Sequence, residues 1–459
     1  MKAKILWVLE GELFKDPVTG YTNMHPPLYH LFLAALNSIG IPINFLLWII
    51  SILNVIMIFI FSFKINQRLF NQNTAIVAAA LMPFIVEYMG CGNLLLPTAF
   101  YFGLPFFLIG VWLYLHPNRT LKHIFLFSIF WGLAFLISPV YIFLIGFSLI
   151  YELLINRNYR LFINSAFVLV IMLIPFFYQA YIVYTHGLFG TSAFSFWRGY
   201  PNLEYFKNLL QYIINPTMKS WSNPLIWIAP ILSGLGIWGL LRGLPKAEFS
   251  RFKWFLIITF LAYIFTYYNF KPQYAIRIHL IISIFLAALA VEYLFHRFKN
   301  SRLPIFVLSG LIICGMIYHQ YIYFTEYKNQ NVHMLEFNKS RAGISKVLKQ
   351  IVLPDEFIII HADTYRQYIL PFFKVHALLA YKSGEYFQLN AKLSDEMLND
   401  YEVLMKCDTQ DCINSISNKY TMVIAIASGN DFDYPVFQLI NKSWPCVYND
   451  NYFRIYHKP

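Results

Sequence analysis

The sequence predicts an all-α, polytopic membrane bundle of about ten spans, followed by a small α/β domain that lies in water. Three observations carry this. Only 13% of the 459 residues are charged and 58% are hydrophobic, whereas soluble chains carry about 25% charged residues. Apolar runs of spanning length recur between residues 42 and 325 and stop there. The excess of positive charge, +12 in all, is confined to alternate connections between those runs.

A spanning helix needs about 20 mostly apolar residues. On that basis spans are expected near 42–63, 74–90, 95–115, 122–137, 139–155, 161–184, 223–241, 254–269, 274–295 and 303–324. Pro139 marks either a tight turn between two spans or a kink in one, since proline removes a backbone donor. Loops 64–73, 116–123, 156–160, 242–253 and 296–302 hold thirteen Lys and Arg against one acid, Glu248. They share one side if the spans alternate, and the positive-inside rule makes that side the cytoplasm. Charge divided among such loops does not form one groove-like basic face, which argues against a nucleic-acid partner.

The opposite side then receives residues 1–41, the turn around Glu87–Asn93, the loop 185–222, the turn at Lys271 and everything after Thr325. Three regions follow: an extracytoplasmic segment 1–41, a transmembrane region 42–325 and an extracytoplasmic domain 326–459. A first loop on the far side requires export, so one further spanning helix is expected ahead of Met1. The stretch Ile5–Leu9 is too short for a signal-peptide core and is followed at once by Glu10 and Glu12.

The tail changes character. EFIIIH (Glu356–His361) and YTMVIAIA (Tyr420–Ala427) predict buried strands, and YFRIYH (Tyr452–His457) predicts a closing edge strand. Stretches near 340–352, 364–374 and 394–404 suit helices. On an oxidising side Cys407 and Cys412 are placed to form a disulfide, with Cys446 as a competing partner and two free thiols as the alternative. The five cysteines show no C-x-x-C spacing, so no zinc site is indicated.

Segment 1–41 is the most informative for chemistry. Pro26 and Pro27 fix φ and lack an N–H, which suits the first turn of a helix. His25 then stands just before a helix N-terminus, where free N–H groups favour an anion such as phosphate; the alternative is that it caps the helix. Asp16 before Pro17 suits either a site carboxylate or an Asx-type turn. Glu87 sits at a span's outer end, as a site residue or in the headgroup region. Arg277 lies about two turns inside an apolar run, where a cation is costly unless paired or snorkelling. Phosphate binding and a structural pair both answer that cost. His279 is assigned to packing, and Arg198 with Trp197 suits either an acceptor contact or an interfacial anchor.

The run G-x-L-F-x-D-P (Gly11–Pro17) followed by HPPLY (His25–Tyr29) and an apolar helix resembles the first extracytoplasmic loop of GT-C-fold glycosyltransferases. It is most similar to the bacterial family-39-like relatives of protein mannosyltransferases and aminoarabinose transferases. Weaker echoes lie at Pro83, at GLAFLISP (Gly132–Pro139) and at KPQYAIRIHLIISIFLAALA (Lys271–Ala290). The resemblance covers about residues 5–325. It implies transfer of a sugar from a polyprenyl-phosphate carrier to a lipid, glycan or protein acceptor outside the cytoplasm, at a bacterial inner membrane. It also implies a catalytic carboxylate, for which Asp16 and Glu87 are the candidates, and donor-phosphate ligands His25, Lys271 and Arg277. Tyr21, Tyr29, Asn93 and Arg198 would line the substrate cavity, and a divalent metal is left open. The family's Asp-Glu motif, which would fall upstream of Leu9, has no counterpart in residues 1–459, and Asn93 stands where the family often has an acid.

Two other classes are weighed against a lipid-linked sugar transferase. The absent acidic motif fits a catalytically inactive relative with a binding or assembly role. A transporter would show internal repeats and broken helix pairs in matching halves, and no such repeat is visible.

Overall fold

The computed structural model describes residues 28–88, 99–185, 235–239, 247–269, 272–298, 357–360, 376–379, 406–416, 420–426, 435–450 and 453–457, besides a few single positions. It divides into two units. One comprises 44–176 and 196–321; the other comprises 1–43, 177–195 and 322–459.

The first unit is helical. It contains α2 (Ile43–Leu69), α3 (Gln72–Tyr88), α4 (Ala99–Tyr114), α5 (Leu121–Ile137), α6 (Tyr141–Leu154), α7 (Tyr159–Thr185) as far as Phe176, α8 (Ala247–Asn269) and α9 (Pro272–Arg297), while α1 (Leu28–Ser38) and the end of α7 belong to the second. Each of α2 to α9 overlaps one of the expected apolar runs, and α1 begins directly after Pro26 and Pro27. Pro139 lies in a turn between α5 and α6 rather than inside a helix. Two stretches, Phe45–Leu69 and Tyr159–Tyr178, are long and apolar enough to cross a membrane; Ala99–Tyr114, Leu121–Ile137 and Tyr141–Leu154 are apolar but shorter. The run near 303–324 falls outside the described residues, apart from Gly310.

Aromatic stacking builds the interior. Trp131 of α5 lies against Phe107, Tyr114 and Phe127, and Phe285 of α9 meets Phe252 and Phe255 of α8 edge-on. Small residues permit the close approaches: a Cβ on Gly110 of α4 would collide with the Trp131 ring, and one on Gly236 with the backbone of Leu286. α2 and α7 instead present large apolar side chains outward, among them Phe45, Trp48, Ile163, Phe167 and Ile174. A helix that is apolar on its buried and its exposed side suits a lipid surround.

Residues at or beside four of the five loops expected on one side meet at one end of this unit. Arg68, near the end of α2, donates to the Trp112 carbonyl near the end of α4. Arg119 in the α4–α5 loop bonds Glu152 near the end of α6 at 2.8 Å. Asn71 and Thr74, at the start of α3, both donate to Glu292 near the end of α9. These contacts require the helices between them to alternate in direction.

The second unit carries a five-stranded sheet of order β2-β1-β3-β5-β4. β1 (Phe357–Ile360) pairs in parallel with β2 (His376–Leu379) and β3 (Tyr420–Ile426). β3, β5 (Phe453–His457) and β4 (Cys446–Asn449) are antiparallel. The runs around 357, 420 and 453 are thus strands as expected, but β5 is not a closing edge: β4 pairs with its outer side. The strands β2 and β4 and the helices α10 (Gln410–Ile416) and α11 (Pro435–Ser443) were not expected from the sequence. Positions 343, 347, 350 and 403 are helical, inside two of the expected helices, whereas the stretch 364–374 lies outside the described residues. α11 turns Val436, Phe437 and Ile440 inward, and Asn441 accepts a 2.6 Å hydrogen bond from the Tyr456 hydroxyl. Cys407 and Cys412 form a disulfide, and Cys446 is a free, exposed thiol.

Candidate functional site

The candidate site lies at the end of the helical unit opposite the basic loops. It starts from a defect in α4. Pro105 sits inside that helix and has no N–H, so the carbonyl of Tyr101, four residues back, loses its helical donor. Asn54 of α2 replaces it: its side-chain amide donates to the Tyr101 oxygen at 2.6 Å in a buried setting. One carbonyl earlier, the Tyr141 hydroxyl at the start of α6 donates to the Phe100 oxygen at 2.7 Å. The first turn of α4 is therefore tied to two other helices.

Those ties fix an aromatic platform. The Phe100 and Tyr141 rings stack at 5.5 Å with planes 8° apart, and Tyr141 stacks on Phe107 at 5.1 Å. The guanidinium of Arg277, in the second turn of α9, lies 5.8 Å from the centre of the Phe100 ring. Phe100 and Tyr141 are buried while Arg277 is half-buried. A planar cation above an aromatic face is held by the ring quadrupole. The Tyr141 hydroxyl already donates to backbone, so its visible task is to hold the platform. This arrangement holds a half-buried cation against a fixed aromatic platform. It contains no carboxylate among the described residues.

The other expected site residues are distributed as follows. Glu87 lies in the last turn of α3, and its side chain is not described. Tyr29 of α1 is fully buried in the second unit, edge-on to His30 at 5.4 Å. Asp16, Tyr21, His25, Asn93, Arg198 and Lys271 lie outside the described residues, as does the side chain of His279. Among the described residues no group of three His, Cys, Asp or Glu is placed to hold a metal. Asn54, Phe100 and Tyr141 were not singled out from the sequence. The one signal available was Pro105 itself, which announces an orphaned carbonyl four residues earlier without naming its partner.

The Asn54 bond has a measurable consequence. Asn54→Leu leaves the Tyr101 carbonyl buried without a donor and is expected to cost about 1–3 kcal/mol. Pro105→Ala returns a backbone N–H to that carbonyl, so the double variant Asn54→Leu/Pro105→Ala should recover part of the loss. Thermal midpoints of the four proteins in one detergent check this, and strictly additive effects would contradict it.

Comparison with solved structures decides the fold. ArnT from Cupriavidus metallidurans bound to undecaprenyl phosphate superposes with a TM-score of 0.63 at 13% identity, covering 99% of this chain and 92% of that one. The chain has the GT-C fold. The oligosaccharyltransferase AglB from Archaeoglobus fulgidus, in complex with an inhibitory peptide and a dolichol-phosphate, gives 0.55 at 10% identity over 93% of this chain and 65% of that one. The same organism's oligosaccharyltransferase tethered to an acceptor peptide gives 0.54 at 13% identity, covering 93% and 64%. These are membrane glycosyltransferases of the GT-C fold. No protein-family model and no curated protein sequence matches the chain.

Proposed function

We propose that this protein is a membrane glycosyltransferase that moves a sugar from a polyprenyl-phosphate carrier to an acceptor outside the cytoplasm. The observation that carries the reading is Arg277, a half-buried guanidinium seated on Phe100 at the end of a GT-C helical unit away from the basic loops. In the proposed reaction an acceptor hydroxyl attacks the anomeric carbon while the bond from that carbon to the phosphate oxygen breaks. The carrier departs as a phosphate monoester carrying one more negative charge. That added charge is what a fixed cation stabilises, and Arg277, with His25 and Lys271, is assigned to it. Asp16 or Glu87 is assigned to take the acceptor's proton, and Tyr21, Asn93 and Arg198 to the cavity wall; Tyr29, fully buried, is a packing residue.

The topology proposed with it has about ten spans, the basic loops in the cytoplasm and 326–459 outside. The Cys407–Cys412 disulfide supports an oxidising compartment for the last domain. The inactive-relative reading shares the fold, and turnover separates the two.

The reading is tested by its product. Polyprenyl phosphate is expected to bind the purified chain far more tightly than the same polyprenol without its phosphate, and Arg277→Ala should remove most of the difference. Equal binding of the two lipids would contradict a phosphate-linked donor.

A further inference from the structure

At the end of the helical unit that carries the basic connections, one face of α2 has an amphiphilic layout. Leu53, Ile56 and Ile60 are 53%, 47% and 37% exposed, and Lys64 beyond them is exposed as well. Steps of three and four residues place all of them on one side of the helix. The face is therefore an apolar strip of about 10 Å, at 1.5 Å per residue, that ends in an ammonium group.

Neighbouring elements complete the charged end. The Lys64 ammonium lies 5.6 Å from the centre of the Phe61 ring and 5.4 Å from that of Trp112. The Arg68 guanidinium lies 4.7 Å over the same Trp112 ring. Lys122 and His123 stand in the first turn of α5, at the same end of the unit. Glu152, the carboxylate that reaches this end from α6, is fully buried. It accepts from Arg119, Tyr114 and Asn156 at 2.7–2.8 Å, so its charge is already engaged. A tryptophan between cations at the foot of an apolar strip matches the join between acyl chain and headgroup.

We propose that this face of α2 binds one anionic glycerophospholipid from the surrounding leaflet, with an acyl chain along Leu53–Ile60 and its phosphate on Lys64 and Arg68 beside Trp112. The occupant is an amphiphile because the apolar strip and the cations are continuous on one helix face. It is anionic because Lys64 and Arg68 both lie over Trp112 where its head would sit, and a zwitterionic head carries no net charge to meet them. The site lies at the opposite end of the helical unit from Arg277 and is independent of the sugar-transfer reading.

The test is native mass spectrometry of the full chain in a neutral detergent, titrated with phosphatidylglycerol or phosphatidylcholine. The first phosphatidylglycerol is expected to bind at least tenfold more tightly than phosphatidylcholine. Lys64→Gln should weaken it about fivefold, in line with one cation near a lipid phosphate, and Lys64→Arg should restore it. Ile60→Ser should also weaken it, while millimolar inorganic phosphate should not displace it. Arg277→Ala should leave this affinity unchanged, which separates the site from the proposed donor site. Equal affinity for the two lipids, no change in Lys64→Gln, or displacement by inorganic phosphate would each overturn the proposal. Lys64 is exposed, so its substitution spares the core; if even this variant misfolds, the Lys122→Gln protein must show a loss of the same sign.

Discussion

Arg277→Ala is expected to lower sugar transfer by roughly 10²–10³-fold while leaving thermal stability close to that of the parent. The magnitude is that of removing one preorganised group that meets developing negative charge. The stability half follows from geometry. Arg277 is half-buried and rests on Phe100, whose position is fixed from its other side by the Tyr141 stack and the hydroxyl bond to its carbonyl. The platform therefore outlasts the cation. Arg277→Lys should recover part of the rate, since an ammonium keeps the charge but loses the planar contact with the ring. The loss should appear in kcat rather than KM, because the extra charge on the phosphate exists only once the bond is breaking. A variant that loses rate and thermal midpoint together would instead make Arg277 a packing residue.

The largest effect on stability is expected at Glu152. This carboxylate is fully buried and accepts from the Arg119 guanidinium at 2.8 Å, the Tyr114 hydroxyl at 2.7 Å and the Asn156 amide at 2.7 Å. Three elements meet on it: the end of α4, the α4–α5 loop and the α6–α7 connection. Glu152→Ala leaves a nearly buried guanidinium without its counter-charge and the Tyr114 hydroxyl without its acceptor. Breaking one side of such a pair costs about 3–5 kcal/mol. Replacing both partners with apolar residues of similar volume, as in Arg119→Met/Glu152→Leu, should cost much less, because no uncompensated charge remains. The thermal midpoint of the three variants against the parent checks this. A Glu152→Ala protein as stable as the parent would show that the pair contributes nothing.

Much of the fold is legible in the residues, for a physical reason. A lipid surround imposes length and hydropathy on a helix, so α2 and α7 stand out as long apolar runs, and loop charge sorts the ends. The strands β1, β3 and β5 were visible because runs such as FIII and TMVIAI leave little alternative. The four-residue strands β2 (HALL) and β4 (CVYN) were not, because each is too short to set its own period and owes its state to the neighbour it pairs with. With β4 hidden in this way, the run of β5 reads as a closing edge. The site divides in the same way. Arg277 was legible as a charge inside an apolar run, since that placement is costly by itself. Phe100 and Tyr141 were not, because one more aromatic residue in an apolar stretch carries no sign of what it stacks on. Asn54 lies 47 residues from the carbonyl it serves, a pairing that packing creates and that spacing does not encode.

The central claim is that the sugar arrives on a lipid phosphate, and exchanging the donor tests it most directly. The chain, reconstituted in liposomes with its basic loops facing inward, is offered the same sugar on polyprenyl phosphate or on a nucleotide, with product measured on an acceptor outside. Transfer is expected from the lipid-linked donor, with its loss in Arg277→Ala, and none from the nucleotide sugar. Transfer from the nucleotide sugar, or turnover of the lipid-linked donor that is indifferent to Arg277, would contradict it.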